Sequence, residues 1–140
     1  MKKNLLIETA NYWMDEDVDI DGLDEFTKAY IEAALWTFTD DEPEDKHFSF
    51  EDISDETLEL MKKDCNNFQD ENKELYSNGG WSDEQAGHDF WLTRNGHGAG
   101  FWDKSSNGGY DEEVGEKLST VSKNYENMDL YIGDDGKIYS

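Results

Sequence analysis

The sequence is short of positive charge, of cysteine and of proline. Lys and Arg together number 12 against 35 Asp and Glu, and Arg94 is the one arginine, so the formal net charge is −23. That deficit excludes free nucleic acid and anionic membrane surfaces as partners, because both are bound through clustered Lys and Arg. A single cysteine, Cys65, rules out an intrachain disulfide and fits a reducing, cytoplasmic compartment. The one proline, Pro43, falls in an acidic loop. No apolar run approaches the length needed to span a bilayer. The opening Met1-Lys2-Lys3 leads only into Leu5-Leu6-Ile7, which is too short for the core of a signal peptide.

Aromatic residues are plentiful. They make up 14% of the chain, with five Trp, seven Tyr and seven Phe. High charge with low hydropathy favours disorder, but large rings bury more area per residue than other side chains. A folded domain with an intensely negative surface reconciles the two. At 140 residues the chain reads as one domain, 1–140, able to bury a core without staples. Residues 1–22 read as an N-terminal arm and acidic loop.

The helical half is marked by its caps. Phe26, Tyr30, Ala33 and Ala34 recur at helical spacing, widened by Ile31, Leu35 and Phe38, which predicts a buried helix over about residues 23–38 capped by Asp21. Ser54 reads as the N-cap of a second helix, with Ile53 and Leu58 spaced as a hydrophobic staple. Leu58, Met61, Cys65, Phe68 and Leu75 continue its apolar stripe, interrupted by Asn72, and Ser77-Asn78-Gly79-Gly80 ends it. Asp111 caps a third helix carrying Val114, Leu118, Val121 and Tyr125 on one face.

The densest block of large side chains runs from Ala86 to Asp103. Ser82 and Gln85 have the spacing of a capping box, so one helical turn is expected there. Phe90-Trp91-Leu92-Thr93 then has the composition of a half-buried strand, Asn95-Gly96 suits a type I′ turn, and Ala99-Gly100-Phe101-Trp102 returns. A second hairpin is expected from Met128 to Tyr139 around Gly133-Asp134-Asp135-Gly136. The expected class is therefore α+β: two long N-terminal helices, then β-hairpin, helix, β-hairpin, with an antiparallel sheet of about four strands packed on the helices.

The charge is uneven. Residues 1–76 hold 23 acids and 7 Lys, a net of −16, whereas residues 77–140 hold 12 acids and 5 Lys or Arg, a net of −7. Helix dipoles explain Asp24, Asp55, Glu56, Glu112 and Glu113. They do not explain Asp15, Glu16, Asp17, Asp19 and Asp21, nor Asp40, Asp41, Glu42, Glu44, Asp45, Glu51 and Asp52, and these are the candidate partner-binding residues. A charge of −23 equals that on roughly 12 base pairs of duplex DNA, at one phosphate per ~1.7 Å. A surface of that density attracts a groove built for DNA. The bland account is a solvated surface that serves solubility.

Few residues offer chemistry. Asp17-Val18-Asp19-Ile20-Asp21-Gly22 matches the first half of a calcium loop, but Lys28 stands where the closing bidentate Glu is required. No metal or cofactor is expected. His88, Arg94 and His97, with Asp89 and Asp103, could converge on a two-stranded ribbon and suit acid–base work. That constellation defines the alternative reading, a small enzyme or ligand-binding domain. Arg94 is expected to pair with Asp89, Asp103 or a helix C-terminus. Cys65 lies on an apolar helix face and reads as core.

The block His88-Asp89-Phe90-Trp91-Leu92-Thr93-Arg94-Asn95-Gly96-His97-Gly98-Ala99-Gly100-Phe101-Trp102-Asp103 resembles a widespread family of small acidic phage and prophage proteins. So do Tyr30 to Trp36, Val114 to Leu118 and Asp129 to Tyr139, so the resemblance spans about residues 23–140. It carries no catalytic residues. In composition and context the chain is similar to DNA-mimicking inhibitors of CRISPR effectors and restriction enzymes. The implied function is a phage-encoded, non-enzymatic anti-CRISPR or anti-restriction protein in the host cytoplasm, with a basic host protein as partner.

Overall fold

The computed structural model describes residues 22–40, 48–97, 99–102 and 110–140. Among these residues the chain forms α1 (Glu25–Asp40), a 3-10 turn (Phe50–Asp52), α2 (Asp55–Asn78), α3 (Asp83–Arg94), α4 (Glu112–Lys123), β1 (Tyr131–Ile132) and β2 (Ile138–Tyr139). The class is α+β, with helices dominating a two-stranded antiparallel ladder.

Each helix start follows from a side chain that satisfies an orphan backbone N–H. Ser54 accepts from the Thr57 N–H, Ser82 from Gln85 and Asp111 from Val114, as their spacing predicts. The cap of α1 is Asp24 rather than Asp21: its Oδ1 accepts from the Thr27 N–H at 2.8 Å. At Ser82 only half of the box forms, because the Gln85 side chain turns to Asp89 Oδ1 instead of reaching back. Asn72, which breaks the stripe of α2, is buried there and returns its amide to the Phe68 carbonyl.

The expected first hairpin is a helix. Residues 83–94 form α3, and Phe90, Trp91, Leu92, Thr93 and Arg94 are all buried. From Asp89 to Arg94 every residue of α3 is buried, so this half has no polar stripe and its run of aromatics imitates a strand. Asn95-Gly96 does use a positive φ, at Gly96 (68°), but to close a helix. The His97 N–H donates to the Leu92 carbonyl and the Gly96 N–H to the Thr93 carbonyl, the two bonds of a Schellman motif. The returning segment meets α3 through a side chain, with the Phe101 N–H donating to Thr93 Oγ1. The four-stranded sheet therefore reduces, among the described residues, to one hairpin.

That hairpin is where the turn chemistry placed it. Tyr131 pairs with Tyr139 and Ile132 with Ile138, and Gly136 (φ 82°) completes the turn. A single bridge between Ile53 and Ile138 and the bond from the Ser54 N–H to the Ile138 carbonyl tie it to the start of α2.

The core is aromatic. Phe26, Tyr30, Phe68, Tyr76, Phe90 and Phe101 are fully buried, and the Phe68 and Phe90 rings stack at 4.2 Å between centroids. α1 and α3 form the most extensive helix pair. Their contacts advance in step: Phe26 meets Gly87, Tyr30 meets Phe90 and Trp91, and Thr37 meets Trp91. The carboxyl ends of both helices thus fall at one end of the molecule. Gly87 permits this approach, because a Cβ there would fall on the Phe26 carbonyl oxygen.

Candidate functional site

The structure separates the residues of the alternative reading. Arg94 is buried and structural. Its Nη1 donates to Asp64 Oδ2 at 2.8 Å and to the Tyr30 hydroxyl at 3.0 Å. Its Nη2 and Nε donate to the carbonyls of Tyr125 and Glu126, just beyond the C-terminal end of α4, at 2.7 and 2.9 Å. The guanidinium carbon lies 5.5 Å from the ring centroids of both Phe90 and Tyr125. Burial works against its charge, but Tyr30 and Asp64 outweigh this and hold the proton more tightly. The expectation of a helix end as partner is met by α4. Asp89 is not the partner, and Asp103 lies outside the described residues.

Asp89 serves a different network. It is fully buried and accepts from Trp81 Nε1 at 2.9 Å and Gln85 Nε2 at 3.0 Å, with His88 Nδ1 at 3.4 Å. The burial that removes Asp89 from solvent is offset by these donors, as a buried carboxylate requires. His88 lines a cavity with Ala29, Glu32 and Gln85, whereas His97 lines another with Thr37, Phe38 and Trp91. The two imidazoles thus line separate cavities, and Arg94 lines neither of these two. The helix that replaced the ribbon is the reason: His88 lies midway along α3, whereas His97 lies beyond its C-terminal end.

Burial pushes the Cys65 thiol well above its ordinary range, in line with a core position. The Tyr30 hydroxyl is likewise raised by burial, with the nearby Arg94 charge opposing. Among the described residues no group of three or more His, Cys, Asp or Glu is placed to hold a metal ion. No helix there is long and apolar enough to cross a membrane.

Of the candidate partner-binding residues, Asp15, Glu16, Asp17, Asp19, Asp21, Asp41, Glu42, Glu44 and Asp45, and the side chain of Asp40, lie outside the described residues, as does nearly all of the calcium-loop-like stretch. Glu51 and Asp52 are on the 3-10 turn that leads into α2. Asp52 folds back to accept from the Ser49 N–H at 2.8 Å, while Glu51 is exposed. Asp55, Glu56 and Glu59 extend this exposed run over the first two turns of α2. The described carboxylates with a lysine or arginine partner are Glu59, Asp64, Asp83 and Glu113. Glu51, Asp55 and Glu56 have none among the described residues.

Two features escaped the sequence. One is Asp64 as the arginine's partner, from a helix 30 positions away. The other is the cavity of about 230 Å³ beside His97, assembled from residues 37–38, 91–97 and 127–130. No local pattern announces either, since both depend on how separate segments pack. Comparison with known proteins returns no matching family model, no matching curated protein and no matching solved structure.

Proposed function

We propose that this chain is a phage-encoded, non-enzymatic inhibitor that occupies the basic nucleic-acid groove of a host DNA-binding defence protein, a CRISPR effector or a restriction enzyme. The observation that carries the reading is the exposed acidic run Glu51, Asp55, Glu56 and Glu59, with one lysine partner among the described residues, on a chain of net charge −23. Dipole compensation accounts for Asp55 and Glu56 and leaves Glu51 and Glu59 unexplained.

Magnitude decides how much surface the role needs. α2 presents seven carboxylates and three lysines over a length of about 36 Å. Duplex DNA carries one charge per ~1.7 Å, so α2 alone falls well short. The mimicry therefore draws also on Asp15 to Asp21 and Asp40 to Asp45, which bracket α1 in the sequence. Many like charges steer a basic groove from a distance, and salt weakens that attraction.

The test is inhibition of DNA cleavage by a purified CRISPR effector nuclease and by a restriction enzyme across rising NaCl. Inhibition should weaken with salt, and should drop when Asp40, Asp41, Glu42, Glu44, Asp45, Glu51 and Asp52 are converted to their amides. Inhibition that ignores both salt and those substitutions overturns the reading.

A further inference from the structure

The cavity of about 230 Å³ beside His97 has a definite chemical character. Phe38, Trp91 and Met128 give it aromatic and thioether walls, and the exposed residues Asn127 and Asp129 are part of its lining. Neither of those two side chains is tied into a hydrogen bond of the fold. The other polar walls are committed. Thr37 Oγ1 accepts from Trp91 Nε1, and Asn95 bonds the Trp91 carbonyl and the Met128 N–H.

Two helices end there. Thr37 and Phe38 are in the last turn of α1, and Trp91 is in the last turn of α3. The carbonyl end of a helix carries about half a negative charge. α1 has no basic residue in its last turn to offset this. α3 has Arg94, but its guanidinium is turned to Asp64 and to the carbonyls of Tyr125 and Glu126. Among the described residues no lysine or arginine lines the cavity, and His97 is the one basic group there. The site therefore favours a cation. A guanidinium suits it better than an ammonium: it is planar, weakly hydrated, packs on aromatic surface and donates to a carboxylate in pairs.

We propose that this cavity receives an arginine side chain from the basic partner. The inference rests on the acidic-inhibitor reading and adds to it a defined anchor, of the kind that dominates interfaces when seated in a pocket.

The experiment titrates N-acetylarginine amide, N-acetyllysine amide and N-acetylcitrulline amide into the full chain at about pH 8. The Trp91 indole N–H and the Met128 methyl are followed by NMR. Arginine amide should shift both signals saturably, lysine amide should bind several-fold more weakly, and citrulline amide should leave them in place. Asp129→Asn should weaken arginine amide about two- to fivefold, the worth of a solvent-accessible ion pair, and Asp129→Lys should abolish its effect. Asp129 is exposed and outside any helix or strand, so both variants should fold. Equal response to arginine and citrulline, equal response to arginine and lysine, or indifference to Asp129→Asn overturns the proposal.

A second arm uses oligoarginine and oligolysine of equal length. Asp129→Lys should reduce oligoarginine binding more than oligolysine binding, and an equal loss overturns the assignment to a partner's arginine. Converting Glu51, Asp52, Glu56 and Glu59 to amides should weaken both oligomers while leaving the arginine amide shifts intact. If those amides change neither oligomer binding nor inhibition, the acidic-inhibitor reading fails while the guanidinium preference of the cavity stands.

Discussion

Replacing Arg94 with methionine probes the interior most directly. The guanidinium makes four hydrogen bonds of 2.7 to 3.0 Å, to Asp64, Tyr30 and the carbonyls of Tyr125 and Glu126. Through them one side chain of α3 ties down α1, α2 and the segment after α4. Methionine keeps an unbranched apolar stem between Phe90 and Tyr125 and removes every donor. Breaking a buried pair from one side costs about 3–5 kcal/mol. Asp64 is 24% exposed and recovers some hydration, which lowers that figure. The two carbonyls belong to the half-buried Tyr125 and the exposed Glu126 and turn to water, so they add little. A loss of about 3–4 kcal/mol follows. Domains are generally stable by about 5–15 kcal/mol, so the variant should still fold. Urea denaturation followed by circular dichroism should show a lower midpoint at unchanged m-value. Asp64→Asn should cost less, about 1–2 kcal/mol, and the double variant should reveal a coupling of about 1 kcal/mol or more. A loss under about 1 kcal/mol for Arg94→Met, or strictly additive single effects, refutes this account.

Two further substitutions test the helix packing and the α1 cap. Gly87→Ala drives a methyl group onto the Phe26 carbonyl oxygen, and backbone cannot swing aside as a side chain can. It should cost at least about 2–3 kcal/mol, the upper part of the overpacking range, and an unchanged melting temperature would show that α1 and α3 lie farther apart. Asp24 concerns pH. Burial opposes its charge, but the bonds from Thr27 and Gln69 and the Lys73 charge outweigh this and hold its carboxyl below the ordinary range. A carboxyl lowered on folding adds stability above its unfolded pKa of about 3.9 and loses it as pH falls through the folded value. Asn caps a helix about as well as Asp. Asp24→Asn should therefore be less stable at neutral pH and lose stability less steeply below about pH 4. Parallel acid limbs for the two proteins would contradict it.

Three helix starts and the closing hairpin are legible in the sequence, and the reason is range. Ser54, Ser82 and Asp111 bond N–H groups three residues away, and the Gly133 to Gly136 turn closes on itself, so each announces itself wherever the chain goes. Asp24 displaced Asp21 as a cap by one turn's slip, a fine point between two acids that are both competent caps. The candidate acidic residues were identified by composition, and of these the structure describes Glu51 and Asp52, at the entry to α2.

The misreading of residues 86–103 has a physical cause. Phe90-Trp91-Leu92-Thr93 satisfies strand composition, and Asn-Gly serves a hairpin turn and a helix end through the same positive φ. Only the packing of α1, α2 and α4 against α3 shows why no polar face was needed over residues 89–94. The same packing turned Arg94 inward to Asp64, parted His88 from His97 and gathered Phe38, Trp91 and Asp129 around one cavity. The sequence by itself determined the charge, the caps, the closing hairpin and the aromatic supply of the core, because these depend on composition or on neighbours within a turn. Tertiary structure alone decided which helix is enclosed and which groups meet, because contacts between distant segments depend on the mutual fit of whole faces.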